Sequence, residues 1–397
     1  LQLYQEVTED LVSRDQAYRC YCSSARLSEM RKQQIHKKMS YIGYDGKCRE
    51  LRHSDNMDSE KCVIRFKMPL SGEISVGDLI RGKVSFENKL LDDFVIMKSD
   101  GFPTYHLANV VDDHYMKISH VMRAEEWLAS TPRHVQLYRA IGWTPPMFAH
   151  LPIIMAPDRS KLSKRHGATS VLEYRNKGYS PDALVNFLTL LGWSLDDKTD
   201  IINVDEVIRN FSIERINKSN AVFSVDKLNW MNGYYIRQMS YEHLVDVLLG
   251  YWYKNPPPNI PHCPDKSDLL KIVPLIRERL KTFSDAAPLI PFFFQKEIPY
   301  KKSDLIQKNM TRENTKEALM LVGQRLNQID SYDAESIENS LREIVSELNI
   351  KPGQLFGSLR VAITGLEVSP PLFQTMEILG VKRILSAIER AVADLGN

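Results

Sequence analysis

Residues 105–157 constrain the fold more than any other stretch of the chain. They read in succession as helix ("YHLANVVDDHY"), strand ("ISHVMRA"), helix ("STPRHVQLYRAIGW") and strand ("AHLPIIM"). The strands are short and apolar enough to be buried on both faces, and strands that alternate with helices pair in parallel. Punctuation supports the second helix: Ser130 or Thr131 can cap it, Pro132 suits its first turn and Gly142 can end it. Two such strands are too few for a doubly wound domain. Further strands are expected from elsewhere, including a segment upstream of Leu1.

The texture differs on either side. Residues 1 to 40 read as helical, with Leu1, Tyr4, Val7, Leu11 and Val12 on one face and a basic second half, "RKQQIHKKMS". No capping residue precedes that face, so the chain is expected to begin inside an element. From 41 to 104 short β-prone runs alternate with turns ("KCVIRFKMP", "SVGDLIRGKVSFE", "DDFVIMKSDGFPTY"), which suggests a mixed α+β module. Residues 171–240 read as helices, "NPPPNIPHCPDKSD" as a loop, and 269–397 as almost entirely helical.

Composition narrows the classes of function. With 43% hydrophobic and 26% charged residues among 397, the chain is an ordinary globular one with room for several domains. A net charge of +2 demands no polyanion partner, so any basic surface must arise from uneven distribution. No apolar run approaches the roughly 18 residues of a membrane span, and the opening residues do not read as a signal peptide. Five cysteines, an odd number, argue against a disulfide framework, and the cytoplasm is the default compartment.

One stretch is unusually basic. "DRSKLSKRHGATS", at 158–170, places Arg159, Lys161, Lys164, Arg165 and His166 against a single acid, Asp158. A basic run taken alone is more often solvated surface. This one follows an apolar strand, and in open parallel sheets ligands sit beyond the carboxyl ends of strands. A loop there with two lysines and an arginine can neutralise charge on a triphosphate during group transfer.

"KLSKR" also matches in form the KMSKS-type loop of class I aminoacyl-tRNA synthetases. Together with "SDGFPTYHLANVVDDHYMKISHVMRAEEWLASTPRHVQLYRAIGW", "AYRCYC", "YDGKCRE", "AVFSVDKLNWMNGYYIR" and "LFGSLRVAITG", it gives the chain a close, nearly end-to-end resemblance to glutamyl-tRNA synthetases of the bacterial type. The resemblance implies an α/β plus all-α protein. Residues 1–104 would be an acceptor-binding α+β insertion and 105–157 the second half of a Rossmann-like catalytic domain. Residues 158–240 would carry the KMSKS-type loop and a helical stem-contact domain, and 241–397 a helical anticodon-binding domain.

The same resemblance implies roles for particular residues. Tyr105 and Asn109, one helical turn apart, match positions that contact glutamate, and Arg123 matches the arginine that binds a substrate carboxylate. Glu126, Trp127 and Ile154 match the ATP side. Lys161, Ser163, Lys164 and Arg165 match the phosphate loop, with Lys164 also counted among the ATP-binding positions. The implied reaction activates L-glutamate with ATP, accompanied by Mg2+, and transfers it to tRNA(Glu); whether tRNA(Gln) is also an acceptor is left open. A cytoplasmic monomer is implied. Basic residues in "RKQQIHKKM" and "RINKSN", with Arg277, Arg279, Lys281 and Arg360, are candidates for RNA contact.

Two departures from the family pattern stand out. No histidine sits in a HIGH-type sequence, so the chain as given is expected to lack part of the active site. A non-catalytic tRNA-binding fragment or a degenerate paralogue is the alternative reading. Cys20, Cys22 and Cys48 resemble a zinc site of some family members, yet Glu50 stands where that site has histidine. The fourth ligand is left open among Tyr44, Glu50 and His53, and Cys62 and Cys263 read as idle thiols.

Overall fold

The alternation at 105–157 folds as a parallel unit. In the computed structural model, which describes residues 1–39, 41–51, 62–163, 165, 170–257, 260 and 264–396, the chain divides into two compact units. The first is Leu1–Leu162 with Thr189–Phe223, the second Ser163–Leu188 with Ser224–Asn397.

The first unit begins with α1 (Gln2–Ser13), β1 (Ala17–Cys20), α2 (Ser24–His36), β2 (Val63–Phe66), β3 (Glu73–Asp78), β4 (Gly82–Glu87) and β5 (Val95–Met97). Then follow α3 (Tyr105–Tyr115), β6 (His120–Ala124), α4 (Thr131–Ile141), β7 (Met147–Leu151), β8 (Ile154–Met155) and, later, β9 (Ala221–Val222). Strands β1, β2 and β5 form an antiparallel sheet. A second sheet has the order β4-β3-β7-β6, in which β7 runs parallel to both β3 and β6 and β4 closes a hairpin on β3. This sheet draws on residues before and after position 104.

Local chemistry explains most of these elements. Gly142 ends α4 at a φ of 88°, a left-handed conformation that glycine adopts without steric cost. The apolar sides of α1, α3 and α4 meet the first sheet in a core containing Leu11, Phe66, Ile96, Leu107, Val110 and Leu137. Ile74 and Val76 of β3 and Phe148 of β7 pack with Val135 of α4 on one face of the second sheet.

Two expectations are corrected. Residues 1–40 are not one helical stretch, because β1 interrupts them. Asp15, at a φ of 56°, turns the chain, and Ala17, Tyr18 and Cys20 then bury their side chains while pairing with β2. Neither Ser130 nor Thr131 caps α4 with its side chain. The Thr131 hydroxyl instead reaches the carbonyl of Trp127, 3.2 Å away, and accepts from Arg123.

The second unit is helical in its described residues. Helices Val225–Gln238, Tyr241–Lys254 and Lys266–Ile276 supply a core with Ile236, Leu244, Leu248, Trp252, Ile272 and Ile276. Five later helices, from Arg312–Leu326 to Val381–Gly396, enclose Leu319, Leu341, Leu359, Met376, Ile384 and Ile388. Among the described residues no helix is long and apolar enough to cross a membrane.

Candidate active site

Arg123 lies on β6 directly opposite His150 of β7. Its Nε donates to His150 Nε2 at 3.1 Å, and its Nη2 donates to Thr131 Oγ1 at 3.0 Å. His134 Nδ1 lies 3.5 and 3.4 Å from Nη1 and Nη2. His134 Nε2 is in turn 2.9 Å from His106 Nδ1. Among the described residues no carboxylate comes within ion-pair distance of Arg123.

The imidazoles around it are neutral. Burial, with the charges of Arg123 and Arg133 added, pushes His134 down to about 3 and His106 down to about 4. His150 is also lowered, by burial first and then by Arg123 and Arg81, against the pull of Asp78. A guanidinium keeps its proton at any ordinary pH. Arg123 is therefore a held cation with no counter-charge in contact among the described residues, which suits a bidentate carboxylate.

An aromatic wall stands beside it. Tyr105 opens α3, and its ring centroid is 4.8 Å from that of Trp127; the two residues are 48% and 37% exposed. The Arg123 guanidinium is 5.9 Å from the Trp127 ring. Asn109, one turn along α3, donates to Asp113 Oδ2 at 2.9 Å. Burial raises the pKa of that carboxyl, with Asn109 opposing it.

Lys161 is presented by a tight turn. Ala156 N–H donates to the Ser160 carbonyl at 2.8 Å and Leu162 N–H to the Ile154 carbonyl at 3.0 Å. Asp158 Oδ1 accepts from Ser160 N–H at 2.9 Å, and Arg159 takes a φ of 62° at the apex. Lys161 Nζ then reaches Glu126 Oε2 at 2.6 Å. Both side chains are largely exposed, so solvent screens the pair and a ligand can exchange it at small cost. Ile154 lies in β8, paired with Ala221 of β9.

The structure thus gathers Tyr105, Arg123 and Trp127, and joins Glu126 to Lys161. The division between the two compact units falls inside the basic motif, after Leu162. Ser163 is half-buried and Arg165 exposed, both in the second unit, while Lys164 lies outside the described residues. Asp78, His106, His134 and His150 escaped the sequence reading. A signal for them existed, since an acid in "SVGDLI" and a histidine in "AHLPIIM" interrupt otherwise apolar runs.

The thiols form a second cluster. The sulfurs of Cys20, Cys22 and Cys48 lie within 4.8 Å of one another, with Cys22 and Cys48 3.5 Å apart. The Tyr44 hydroxyl oxygen accepts from the Cys20 thiol at 3.4 Å and from the Cys48 amide at 2.9 Å, and lies 3.6 Å from Cys22 Sγ. Glu50 instead turns to solvent beside Arg49, His53 and Cys263 lie outside the described residues, and Cys62 stands outside the cluster. Three thiols and one phenol oxygen match the four-coordinate demand of zinc.

Comparison with known proteins assigns the chain to a family. The family of tRNA synthetases class I (E and Q), catalytic domain, matches residues 1–230, and an anticodon binding domain matches 241–392. A glutamate–tRNA ligase of Dehalococcoides mccartyi is 49% identical over 395 residues, covering 100% of this chain and 80% of that protein. Glutamate–tRNA ligase 1 of Caldanaerobacter subterraneus is 41% identical, covering 98% of this chain and 81% of its own length. The crystal structure of a glutamate tRNA ligase from Elizabethkingia meningosepticum, in complex with its amino acid, superposes with a TM-score of 0.82 at 32% identity, covering 99% of this chain and 82% of that one. The chain belongs to the class I tRNA synthetases, in their glutamate–tRNA ligase family.

Proposed function

We propose that the protein is a glutamate–tRNA ligase, which activates L-glutamate with ATP and passes the glutamyl group to the terminal ribose hydroxyl of tRNA(Glu). The observation that carries this reading is Arg123, a cation held by neutral groups in a chain 49% identical to such a ligase over its whole length. Arg123 binds a carboxylate of glutamate, and Tyr105 and Asn109 contact the same amino acid. Glu126, Trp127 and Ile154 line the ATP side, and Lys161, Lys164 and Arg165 neutralise the phosphates in a loop that also carries Ser163. The chemistry needs no covalent nucleophile, because positioning and electrostatic stabilisation suffice for adenylate formation and acyl transfer.

Mg2+ accompanies ATP, held mainly by phosphate oxygens and water. Cys20, Cys22, Cys48 and Tyr44 hold zinc as a structural site in the acceptor-binding insertion, assigned to residues 1–104. The second catalytic half is assigned to 105–157, the phosphate loop and stem-contact region to 158–240, and the anticodon-binding region to 241–397. The protein works as a cytoplasmic monomer, and tRNA(Gln) is the second acceptor to be tested.

Charging of purified tRNA(Glu) and tRNA(Gln) with labelled glutamate by the intact gene product tests the reading, together with ATP–pyrophosphate exchange in the presence of tRNA. Glutamate is expected on tRNA(Glu). Absence of charging with tRNA binding retained would replace the ligase by a non-catalytic tRNA-binding protein.

A further inference from the structure

Three adjacent parallel strands end in a line of polar groups. Asp78 closes β3, His150 lies near the end of β7 and Arg123 near the end of β6. His150 Nδ1 is 2.6 Å from Asp78 Oδ2, and both side chains are fully buried. His150 Nε2 faces Arg123 Nε at 3.1 Å. The Nε of a guanidinium can only donate, so His150 Nε2 must be the unprotonated nitrogen. The ring proton then sits on Nδ1, where the Asp78 carboxylate accepts it.

Asp78 is itself held in one orientation. Its Oδ1 accepts the amides of Ile80 at 3.0 Å, Arg81 at 2.8 Å and His150 at 3.3 Å. Its Oδ2 accepts the His150 amide at 3.1 Å as well as the ring. A direct carboxylate–guanidinium pair would have cancelled the charge of Arg123. An interposed neutral imidazole fixes the same guanidinium and leaves its charge for a ligand.

We propose that Asp78 and His150 are positioning residues for Arg123: Asp78 selects the His150 tautomer whose Nε2 accepts, and that acceptor fixes the guanidinium for the glutamate carboxylate. This rests on the reading of Arg123 as the carboxylate-binding group.

Asp78→Asn is the sharpest variant. Three backbone amides already donate to Oδ1, so the oxygen of the asparagine stays there and its NH2 replaces Oδ2. That NH2 donates to His150 Nδ1, drives the ring proton to Nε2 and sets it against Arg123 Nε–H. The expected result is a rise of about 5- to 150-fold in KM for glutamate, with KM for ATP within about twofold. His150→Gln keeps an acceptor for Arg123 and is expected to stay near wild type, whereas His150→Ala is expected to follow Asp78→Asn.

Nitrogen NMR of 15N-histidine-labelled protein reads the tautomer without any need for activity. His150, assigned by the signals lost in His150→Gln, is expected to carry its proton on Nδ1. A wild-type ring protonated on Nε2, or on both nitrogens, overturns the proposal even if Asp78→Asn does not fold. So does a wild-type enzyme that charges tRNA while Asp78→Asn and His150→Ala leave KM for glutamate unchanged. Absence of glutamate charging by the wild type defeats the ligase reading instead, and the NMR result still decides the tautomer.

Discussion

The two polar clusters of the first unit have opposite electrical logic. Around Arg123, neutral imidazoles and a hydroxyl hold a permanent cation. Around Tyr44, three thiols are neutral until ionised, and cations stand at the edge: Arg26 Nη1 is 3.5 Å from Cys22 Sγ, and the Arg65 guanidinium lies 3.9 Å above the Tyr44 ring. The first cluster is ready for an anion because its charge does not depend on protonation. The second becomes a ligand set only as a metal displaces the thiol protons. Readiness for a ligand here follows from which group is ionised in the unliganded fold.

The largest effect is expected from Arg123→Ala. Removing one partner of a buried, hydrogen-bonded charge pair costs roughly 2–5 kcal/mol, or about 30- to 4,000-fold in kcat/KM for glutamate. Steady-state charging kinetics measure it, and a variant within a few-fold of wild type would remove Arg123 from the site. The thiol cluster should not respond, so zinc content is expected to stay the same.

Tyr44→Phe sharpens the other side. Loss of the phenol oxygen, one of the four donors, is expected to weaken zinc binding, read by competition with a chromophoric chelator. Unchanged affinity would return the fourth position to another donor. KM for glutamate is expected to be unaffected.

Acid separates the clusters more gently. His134 and His106 are held at about 3 and about 4, against 6.5 for an ordinary ring, by burial and by neighbouring arginines. Below pH 6.5 the unfolded chain takes up protons that the folded rings refuse. Their contribution to stability is therefore complete above that pH and is lost as pH falls toward 4 and 3, with a slope of at most about 1.4 kcal/mol per pH unit for each ring. Urea unfolding of wild type and His134→Gln from neutral pH to pH 5 tests this, with a shallower loss expected in the variant. Equal slopes would count against the neutral pair.

The smallest effect belongs to the exposed rim. Glu126→Gln breaks the ion pair with Lys161, yet its cost in stability is expected to stay below about 1 kcal/mol because solvent screens both groups. A larger loss in the unfolding midpoint would show that this pair holds the turn in place.

Much of the scaffold is readable along the chain. The patterns "YHLANVVDDHY" and "STPRHVQLYRAIGW" become α3 and α4, and Gly142 ends the latter in the left-handed conformation that its position suggests. Tyr105, Arg123 and Trp127 come together because a helix start, a strand and the segment after it meet near the ends of parallel strands. The misses share one cause. β1 hides within a stretch that reads as helical because its evidence is a partner strand, β2, more than forty residues away. Thr131 reads as a cap because its offset suits one, while its hydroxyl is claimed by Arg123, eight residues earlier.

Helix periodicity, turn residues and the basic loop are local properties, set by interactions within a few positions, so they can be read from adjacent residues. The neutral cage of Arg123 and the phenol among the thiols are not local. Asp78 and His150 are 72 positions apart, and only the register of β3, β7 and β6 sets them in line. Tyr44 and Cys20 are 24 apart and meet only when the segment before Cys48 folds over β1. Which groups stay ionised was thus decided by burial and strand register in the folded chain, because both depend on neighbours that sequence order does not show.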